Sequence, residues 1–251
     1  MTILRCEHLK KRFLLRRGYM NETAQEVRAV DGVSFEIERG ESFGLVGESG
    51  CGKTTLGKLI LGILKPDFGT VELATDKVQV IFQDPYSSLD PRMRVRDILS
   101  EPLALSKSNF DGKPDFDRRI SDTIDMVKLS KGALGKYPHQ FSGGERQRIA
   151  IARAIITGPE FIVCDEPVSS LDVTIQLQIL KLLKYIQRKL SVTYLFISHD
   201  LRVVRYMCSR VAVMRDGKII EKGGTEYLYA NPSDPYTRKL LSSVLDSYLK
   251  V

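Results

Sequence analysis

The chain has 251 residues, enough for one large domain or two small ones, and its apolar fraction of 43% and charged fraction of 27% are ordinary for a soluble globular protein. The net charge of +7 is mild. Because no basic block is long and aromatic residues do not interleave with basic ones, we attribute this excess to solubility and expect no nucleic-acid partner.

The four cysteines are scattered and contain no C-x-x-C pair, which predicts neither a zinc site nor a disulfide framework and favours a reducing compartment. The first five residues do not resemble a signal peptide, and no apolar run approaches the roughly 18 residues of a membrane span. We therefore expect any work at a membrane to proceed through partners.

The first part of the chain predicts two strands around an exposed connection. Residues 3–9 read as the first strand, and residues 30–37 alternate apolar and polar side chains as a half-buried strand does. The basic, glycine-containing stretch 10–26 between them is predicted to be an exposed hairpin or loop. It contains Phe13, which could stack on a base or anchor a strand end, and the sequence leaves both readings open.

The stretch GESGCGKT at residues 47–54 matches the phosphate-binding pattern G-x-x-x-x-G-K-[ST]. Its glycines allow backbone angles at which several N–H groups face one phosphate, while Lys53 brings a cation and Thr54 a hydroxyl for Mg²⁺. Residues 41–46 before it predict a short buried strand. Residues 53–64 after it predict a helix, whose positive N-terminal end also favours an anion. Strand, glycine loop and helix together predict a nucleotide site.

The helix over residues 53–64 is predicted to bury one apolar face, formed by Leu56, Leu59, Ile60 and Ile63. Residues 66–69 break this helix, and strands are predicted at 70–73 and 78–82. Gln83 follows the second of these strands, at the kind of strand end where ligand-contacting residues gather in α/β sheets.

Residues 84–141 are predicted to form a mostly helical insert in an α/β domain. An irregular loop at 84–90 is followed by helices at 96–105 and 117–130, with a mobile polar linker at 106–114 between them. The apolar residues of the second helix predict a core or partner contact rather than a cofactor site; they are Ile120, Ile124 and Val127.

Two further stretches carry chemistry. The run Ser142-Gly143-Gly144 opens a helix to about residue 156, and it is either a second anion site or a simple cap made by Ser142. The apolar strand at 161–166 ends in two carboxylates, of which Asp165 would hold Mg²⁺ and Glu166 would polarise an attacking water. A surface acidic turn is the alternative for this pair.

Beyond the acidic strand, Asp172 stands where it could cap a long amphipathic helix at 173–189. A buried strand at 193–197 is followed by His199, which could donate to a phosphate or orient water, or could serve only the structure. A closing hairpin is predicted at 210–221, with short helices after it.

Five features follow one another in an order and spacing that resemble the ATP-binding subunit of an ABC transporter: the phosphate loop, Gln83, Ser142-Gly143-Gly144, the acidic strand with its Ser-Leu-Asp sequel, and His199. The resemblance covers essentially the whole chain. It implies an α/β fold with a P-loop NTPase core, an antiparallel β subdomain and an inserted helical subdomain. Residues 1–251 would form one domain, with the helical subdomain at about 84–160 and a short tail at about 225–251.

By this resemblance the chain binds ATP and Mg²⁺ and works in a head-to-tail pair that sandwiches two ATP molecules. The phosphates would be held by Gly47, Glu48, Ser49, Gly50, Cys51, Gly52, Lys53, Thr54 and Thr55, and the γ-phosphate bound to the partner by Ser142, Gly143 and Gly144. Mg²⁺ would be held by Thr54, Gln83 and Asp165. Catalysis would need Glu166 as general base, His199 at the γ-phosphate, Lys53 on the phosphates and Gln83 as a sensor of Mg²⁺ and the membrane subunit. The remaining roles would be a link between the two sites at Asp172 and stacking on adenine by Phe13.

Two departures from the family pattern bear on activity. The usual Leu-Ser-Gly-Gly-Gln becomes Phe141 through Glu145, and Glu145 puts an anion near a phosphate-binding turn, where it could slow catalysis or be neutralised by Arg146 or Arg148. Cys51 lies inside the phosphate loop. We expect the helix end to favour its thiolate, so that a thiol reagent inhibits and ATP protects.

Three segments resemble the importers of oligopeptides, dipeptides and nickel, namely 84–92, 138–140 and 234–241, and residues 167–172 resemble the second of two non-identical ATPase subunits. The implied partners are a homologous ATPase subunit or a second copy, two integral-membrane permeases and an extracytoplasmic binding protein, at the cytoplasmic face of the cell membrane. The short C-terminal tail keeps nickel or a metal chelate open beside peptides as cargo. The alternative function is a non-transport ATPase subunit of a soluble complex of the carbon–phosphorus lyase type.

Overall fold

The computed structural model describes residues 1–15, 25–106 and 113–245. The chain divides into two compact units. The first unit joins Met1–Asp76 to Tyr194–Val251, and the second is Lys77–Thr193. Among the described residues we find no helix with both the length and the hydropathy that crossing a bilayer requires.

The strands of the described residues are β1 (Thr2–Leu15), β2 (Gln25–Glu38), β3 (Ser42–Val46), β4 (Phe68–Leu73), β5 (Val78–Ile81), β6 (Phe161–Asp165), β7 (Thr193–Ser198), β8 (Arg210–Arg215) and β9 (Lys218–Gly224). The α-helices of the same residues are α1 (Lys53–Ile60), α2 (Pro85–Ser88), α3 (Val95–Leu105), α4 (Lys113–Met126), α5 (Gly143–Ile155), α6 (Val173–Leu190), α7 (Leu201–Met207), α8 (Thr225–Ala230) and α9 (Pro235–Leu245). Short 3₁₀ turns occur at Lys131–Gly135 and Pro138–Gln140.

An antiparallel sheet in the first unit has the strand order β2-β1-β4. The hairpin alternative for residues 10–26 is supported at both ends, because β1 and β2 extend into this stretch beyond their predicted bounds and pair antiparallel there; residues 16–24 lie outside the described part of the chain. Apolar periodicity could not find the extension, since residues 12–14 and 26–28 within it are exposed. Backbone pairing holds it together, with an ion pair between Arg12 and Glu26 at 3.2 Å.

The first unit also contains the strands that position the phosphate loop. β3 pairs in parallel with β7 on one side and β8 on the other, and β9 is antiparallel to β8. Every residue of β3 and β7 is buried. Central parallel strands are covered on both faces, which explains why they read as continuous apolar runs. The strand–loop–helix order predicted around residues 47–54 is confirmed.

Helix α1 ends at Ile60, earlier than predicted. Gly62 adopts a left-handed φ of 69°, and its N–H donates to the Leu59 carbonyl at 3.1 Å as the chain turns away. Ile63 therefore leaves the apolar face and is 57% exposed, so its predicted burial is wrong. A glycine just after the last turn of a predicted helix is a local sequence signal for a helix end, and Gly62 is such a glycine.

The second unit pairs β5 in parallel with β6 and carries the helices α2 to α6. In the predicted insert, α3 matches its predicted bounds closely, and α4 starts and ends about four residues earlier than predicted. The three apolar residues singled out on the second helix are buried, which supports their reading as core. The 84–90 stretch is less irregular than predicted, because α2 lies within it. Residues 107–112 of the predicted linker lie outside the described residues.

Candidate functional site

The phosphate loop is built around two glycines that no other residue could replace. A Cβ on Gly47 would lie 2.1 Å from the Met214 carbonyl oxygen, and a Cβ on Gly52 would lie 2.0 Å from that of Ala29. Both glycines also have positive φ, 156° and 109°, which L side chains rarely adopt. The loop is thereby pressed against the backbones of β2 and β8, and a Cβ at either position would push it out of shape.

Lys53 lies at the start of α1 with its ammonium group turned back into the loop. Its Nζ donates to the carbonyl oxygens of Gly47 at 2.8 Å and Glu48 at 2.7 Å, and the residue is only 5% exposed. Burying an ammonium ion is costly unless it is well paired. A buried cation at a glycine loop and a helix N-terminus is an arrangement that suits a phosphate group, so the residues present fit a nucleotide.

The other residues expected to hold phosphate lie around this cation. Glu48, Ser49, Gly50 and Thr54 are exposed, Thr55 is half-buried, and Cys51 is buried. Thr54 and Thr55 belong to the first turn of α1, where N–H groups lack partners within the helix and attract anions. The structure thus brings together the residues predicted between 47 and 55.

The loop is held in place by residues that the motif itself does not include. Gly217 donates its N–H to the Cys51 carbonyl at 3.0 Å and accepts the Asp31 N–H at 2.8 Å. Glu48 donates its N–H to the Tyr236 hydroxyl at 3.1 Å. The sequence indicated Tyr236 only as part of a subfamily segment, and no local pattern predicts that it reaches a loop 188 residues away.

The expected thiolate of Cys51 is contradicted. Burial raises the pKa of the Cys51 thiol above its ordinary value, and the nearby Lys53 offsets this only in part. The helix end was the visible signal, whereas the burial of the sulfur depends on packing that the sequence does not display. The thiol therefore stays protonated at neutral pH.

We expect Cys51 to react slowly with a neutral thiol reagent. At pH 7.5 N-ethylmaleimide should label it more slowly than a free cysteine, because the thiolate is the nucleophile and the raised pKa of Cys51 depletes it. The rate should increase with pH and should fall further when ATP is bound. Peptide mass spectrometry would measure it, with a Cys51→Ser chain as the control for labelling elsewhere. Labelling as fast as free cysteine at pH 7.5 would contradict this expectation.

Ser142 caps α5, so the capping reading is confirmed. Its hydroxyl accepts the Glu145 N–H at 3.3 Å, while the Glu145 carboxylate accepts the Ser142 N–H at 2.9 Å and its hydroxyl at 2.8 Å. This is a capping box. It satisfies helix-end N–H groups, and it leaves the anion-binding reading of the same turn as a prediction.

The capping box also shows how the unusual Glu145 is accommodated. The N–H and hydroxyl of Ser142 hold the pKa of Glu145 below its ordinary value, with weaker help from Lys136 and Arg148, while burial opposes them. Arg146 is engaged elsewhere, because it donates to the Pro138 carbonyl at 3.1 Å. The carboxylate is therefore ionised and held mainly by Ser142, with the arginines in a smaller role than expected.

The acidic strand ends in a strained residue. Asp165 is the last residue of β6, and Glu166 follows it with a left-handed φ of 50°. Such a φ is uncommon outside glycine and costs on the order of 1 kcal/mol or more. Both carboxylates are half-buried, which speaks against a plain surface turn. Ser169 fixes the turn by donating its N–H and hydroxyl to the Glu166 carbonyl at 3.3 and 3.1 Å.

Asp172 caps α6 by accepting the Ile175 N–H at 3.0 Å, as the capping reading predicted. The turn before it is tied down by Gln176, whose side chain donates to two backbone carbonyls at 3.0 Å. Gly144 lies so near this helix that a Cβ would stand 2.6 Å from Ile175. The structure thus brings the start of α5 against the segment that carries Asp172.

Three further predicted site residues lie on a strand or just after one. His199 is exposed directly after β7, and the next residue, Asp200, caps α7. Gln83 is exposed two residues after β5. Phe13 lies on β1 opposite Val27 and is 37% exposed, so its ring has a free part of its surface for stacking.

Comparisons with known proteins agree with this arrangement. A model of the ABC transporter family matches residues 30–169. The oligopeptide transport ATP-binding protein AppF of Bacillus subtilis is 44% identical over 97% of this chain and 78% of its own length. Its counterpart OppF of Streptococcus mutans is 47% identical over 88% and 76%. The dimeric structure of a post-hydrolysis state of the ATP-binding cassette MJ0796 bound to ADP and Pi has a TM-score of 0.75 at 25% identity, covering 88% of this chain and 98% of that one.

Proposed function

Because the chain belongs to the ABC transporter family, we propose that it is the ATP-binding and hydrolysing subunit of a membrane importer of oligopeptides. The observation that carries the proposal is the buried ammonium group of Lys53 inside a glycine loop at the start of a helix. That arrangement supports nucleotide binding on physical grounds alone.

The cargo is inferred from relatives, since a nucleotide-binding subunit does not touch it. Two relatives at 44% and 47% identity are named as oligopeptide transport ATP-binding proteins. Their names favour peptides over nickel or a metal chelate. They also favour transport over service in a soluble enzyme complex of the carbon–phosphorus lyase type.

In this function the phosphate loop holds ATP while Glu166 removes a proton from the attacking water. Lys53 neutralises charge on the terminal phosphates, and positioning with electrostatic stabilisation supplies most of the rate in such phosphoryl transfer. Asp165 closes the strand, and Glu166 stands in the strained turn that follows it. A rigid, strained backbone is common where a catalytic group must keep one orientation.

Mg²⁺ would be held by Thr54, Gln83 and Asp165. A hydroxyl, an amide and a carboxylate form an oxygen donor set of the kind this ion prefers, so the residues fit. When bound, the ion would neutralise negative charge on the phosphate oxygens.

We further propose that two ATPase chains pair head to tail. Ser142, Gly143 and Gly144 would then meet the γ-phosphate held by the partner, and Asp172 would link the two sites. The capped start of α5 is exposed at Ser142 and Gly143, which supports this role. His199 would contact the γ-phosphate, and Phe13 would stack on adenine, for which its partly exposed ring is suited.

The partners follow from the same proposal. A homologous ATPase chain or a second copy would complete the pair, and two permeases would bind it at the cytoplasmic face of the membrane. An extracytoplasmic binding protein would deliver the peptide, and the helical part of the second unit would receive the permease.

Purification of the tagged chain from its native cells in mild detergent tests this proposal. Mass spectrometry should find two permeases and a second, related ATPase, none of them in a parallel purification from untagged cells. The complex should then be reconstituted with its binding protein in vesicles. We expect ATP-dependent uptake of labelled oligopeptides that a Lys53→Ala complex does not support.

Two other results would overturn parts of the proposal. Recovery of soluble enzymes without any permease would make the chain an ATPase of a soluble complex. Permeases that carry nickel chelates but no peptide would keep the transport function and refute the peptide cargo.

A further inference from the structure

The C-terminal helix α9 reaches the phosphate loop through one side chain. The Tyr236 hydroxyl oxygen accepts the Glu48 N–H at 3.1 Å, and Tyr236 is only 7% exposed. Both residues belong to the first unit. This hydrogen bond is part-buried, and it links the loop and the helix at one defined point.

The peptide group between Gly47 and Glu48 makes both contacts. Its N–H bonds to Tyr236, and its carbonyl oxygen accepts from Lys53. The Glu48 N–H and the Gly47 carbonyl belong to the same peptide unit, which is planar and trans, so the two groups point in opposite directions. The Gly47 oxygen accepts from the Lys53 ammonium at 2.8 Å. A hydrogen bond that fixes the N–H therefore also fixes the direction of the oxygen that holds the cation.

The Gly47–Glu48 peptide needs a hydrogen bond to fix its orientation, because glycine has little backbone preference of its own. Gly47 has a φ of 156°, and a residue without Cβ has little preference of its own between backbone states. The exposed Glu48 side chain gives no packing on that side. On the N–H side of this peptide the orientation comes from a partner outside the loop, the Tyr236 hydroxyl.

Tyr236 is itself held in position by contacts of its backbone and its ring. The Asp234 carboxylate accepts the Tyr236 N–H at 2.8 Å at the start of α9, and the Arg215 guanidinium lies 4.8 Å from the centre of the ring. Glu221 on β9 accepts the N–H and hydroxyl of Ser233 at 2.8 and 2.7 Å. The beginning of the helix is thus tied to the sheet that also carries the loop.

We propose that Tyr236 is a positioning residue of the nucleotide site, which acts by orienting the Gly47–Glu48 peptide and, through it, the Lys53 ammonium group. The proposal rests on the ATP-binding function proposed above. It adds to that function a role for the C-terminal helix, which lies outside the phosphate-binding motif.

The test compares Tyr236→Phe with Tyr229→Phe in the full chain. Tyr229 is a matched control, because its hydroxyl also makes a part-buried hydrogen bond in the same unit, but donates it to the Leu201 carbonyl at 2.6 Å rather than accepting one from the loop. Fluorescence titration with trinitrophenyl-ATP would give the Kd, thermal melting would give the stability, and NMR would follow solvent exchange of the Glu48 amide.

We expect Tyr236→Phe to raise the Kd for trinitrophenyl-ATP about three- to tenfold, which corresponds to the loss of one neutral hydrogen bond. The Glu48 amide proton should exchange faster with solvent. Tyr229→Phe should lower the melting temperature without changing the Kd. Binding by the unmodified chain that is weakened in Lys53→Ala tests the ATP-binding function separately. An unchanged Kd in Tyr236→Phe, or an equal rise in both tyrosine variants, would overturn the proposal. If Tyr236→Phe does not fold, fast exchange of the Glu48 amide in the unmodified chain would overturn it instead.

Discussion

Replacing Lys53 with alanine should weaken ATP binding by roughly ten- to a hundredfold. The side chain donates to two loop carbonyls and is buried, so its ammonium group is already oriented toward the place where phosphate would bind. A hydrogen bond to a charged group contributes about 1.5–3 kcal/mol, and each 1.4 kcal/mol is about tenfold in affinity. Isothermal titration calorimetry with ATP would measure the loss.

Lys58→Ala is the matched control for that experiment. Lys58 lies on the same helix and carries the same charge, but its side chain is exposed. We expect its affinity to stay within about twofold of the unmodified chain, because an exposed lysine contributes little to a site it does not touch. Equal losses of ATP affinity in the two variants would mean that net charge governs binding, rather than the position of the Lys53 ammonium group in the loop.

Replacing Glu166 with glutamine should leave ATP binding intact and slow hydrolysis by about a hundred- to ten-thousandfold, the usual contribution of general-base catalysis. Glutamine has nearly the same shape as glutamate and cannot accept the proton from water. The left-handed φ of 50° is unaffected by the change, so the turn should persist. A phosphate-release assay and a parallel binding titration would separate the two effects.

Glu160→Gln serves as its control, since Glu160 precedes the opposite end of β6 and pairs with Lys77 at 3.5 Å. The same chemical change there should leave turnover nearly unchanged. If Glu166→Gln hydrolyses ATP at the normal rate, another group must activate the water. If binding is lost as well, Glu166 shapes the site instead of acting as the base.

Much of the fold could be predicted because its signals are local. The phosphate loop lies between a buried strand and a helix, as its glycine spacing and flanking apolar runs indicated. Ser142 and Asp172 cap helices at the positions their residue types favour. The P-loop fold class is confirmed by the likeness to a solved ATP-binding cassette.

Several features that the sequence did not indicate depend on pairing and packing between distant segments. β1 and β2 run past their predicted bounds through backbone pairing in which residues 12–14 and 26–28 are exposed, so no apolar pattern marks the extension. The protonated thiol of Cys51 follows from burial against other segments. The contact between Tyr236 and Glu48 joins residues 188 positions apart, and the local sequence of neither one indicates it.

The residues that pack against the phosphate loop have a consequence for protein synthesis. Gly47 is covered by the Met214 carbonyl, and the Cys51 carbonyl is held by Gly217, so the loop takes its shape from a segment made about 160 residues later. A nascent chain released before residue 214 would contain the whole motif without these supports. Nucleotide binding should therefore arise late in translation, after the β8–β9 segment has left the ribosome.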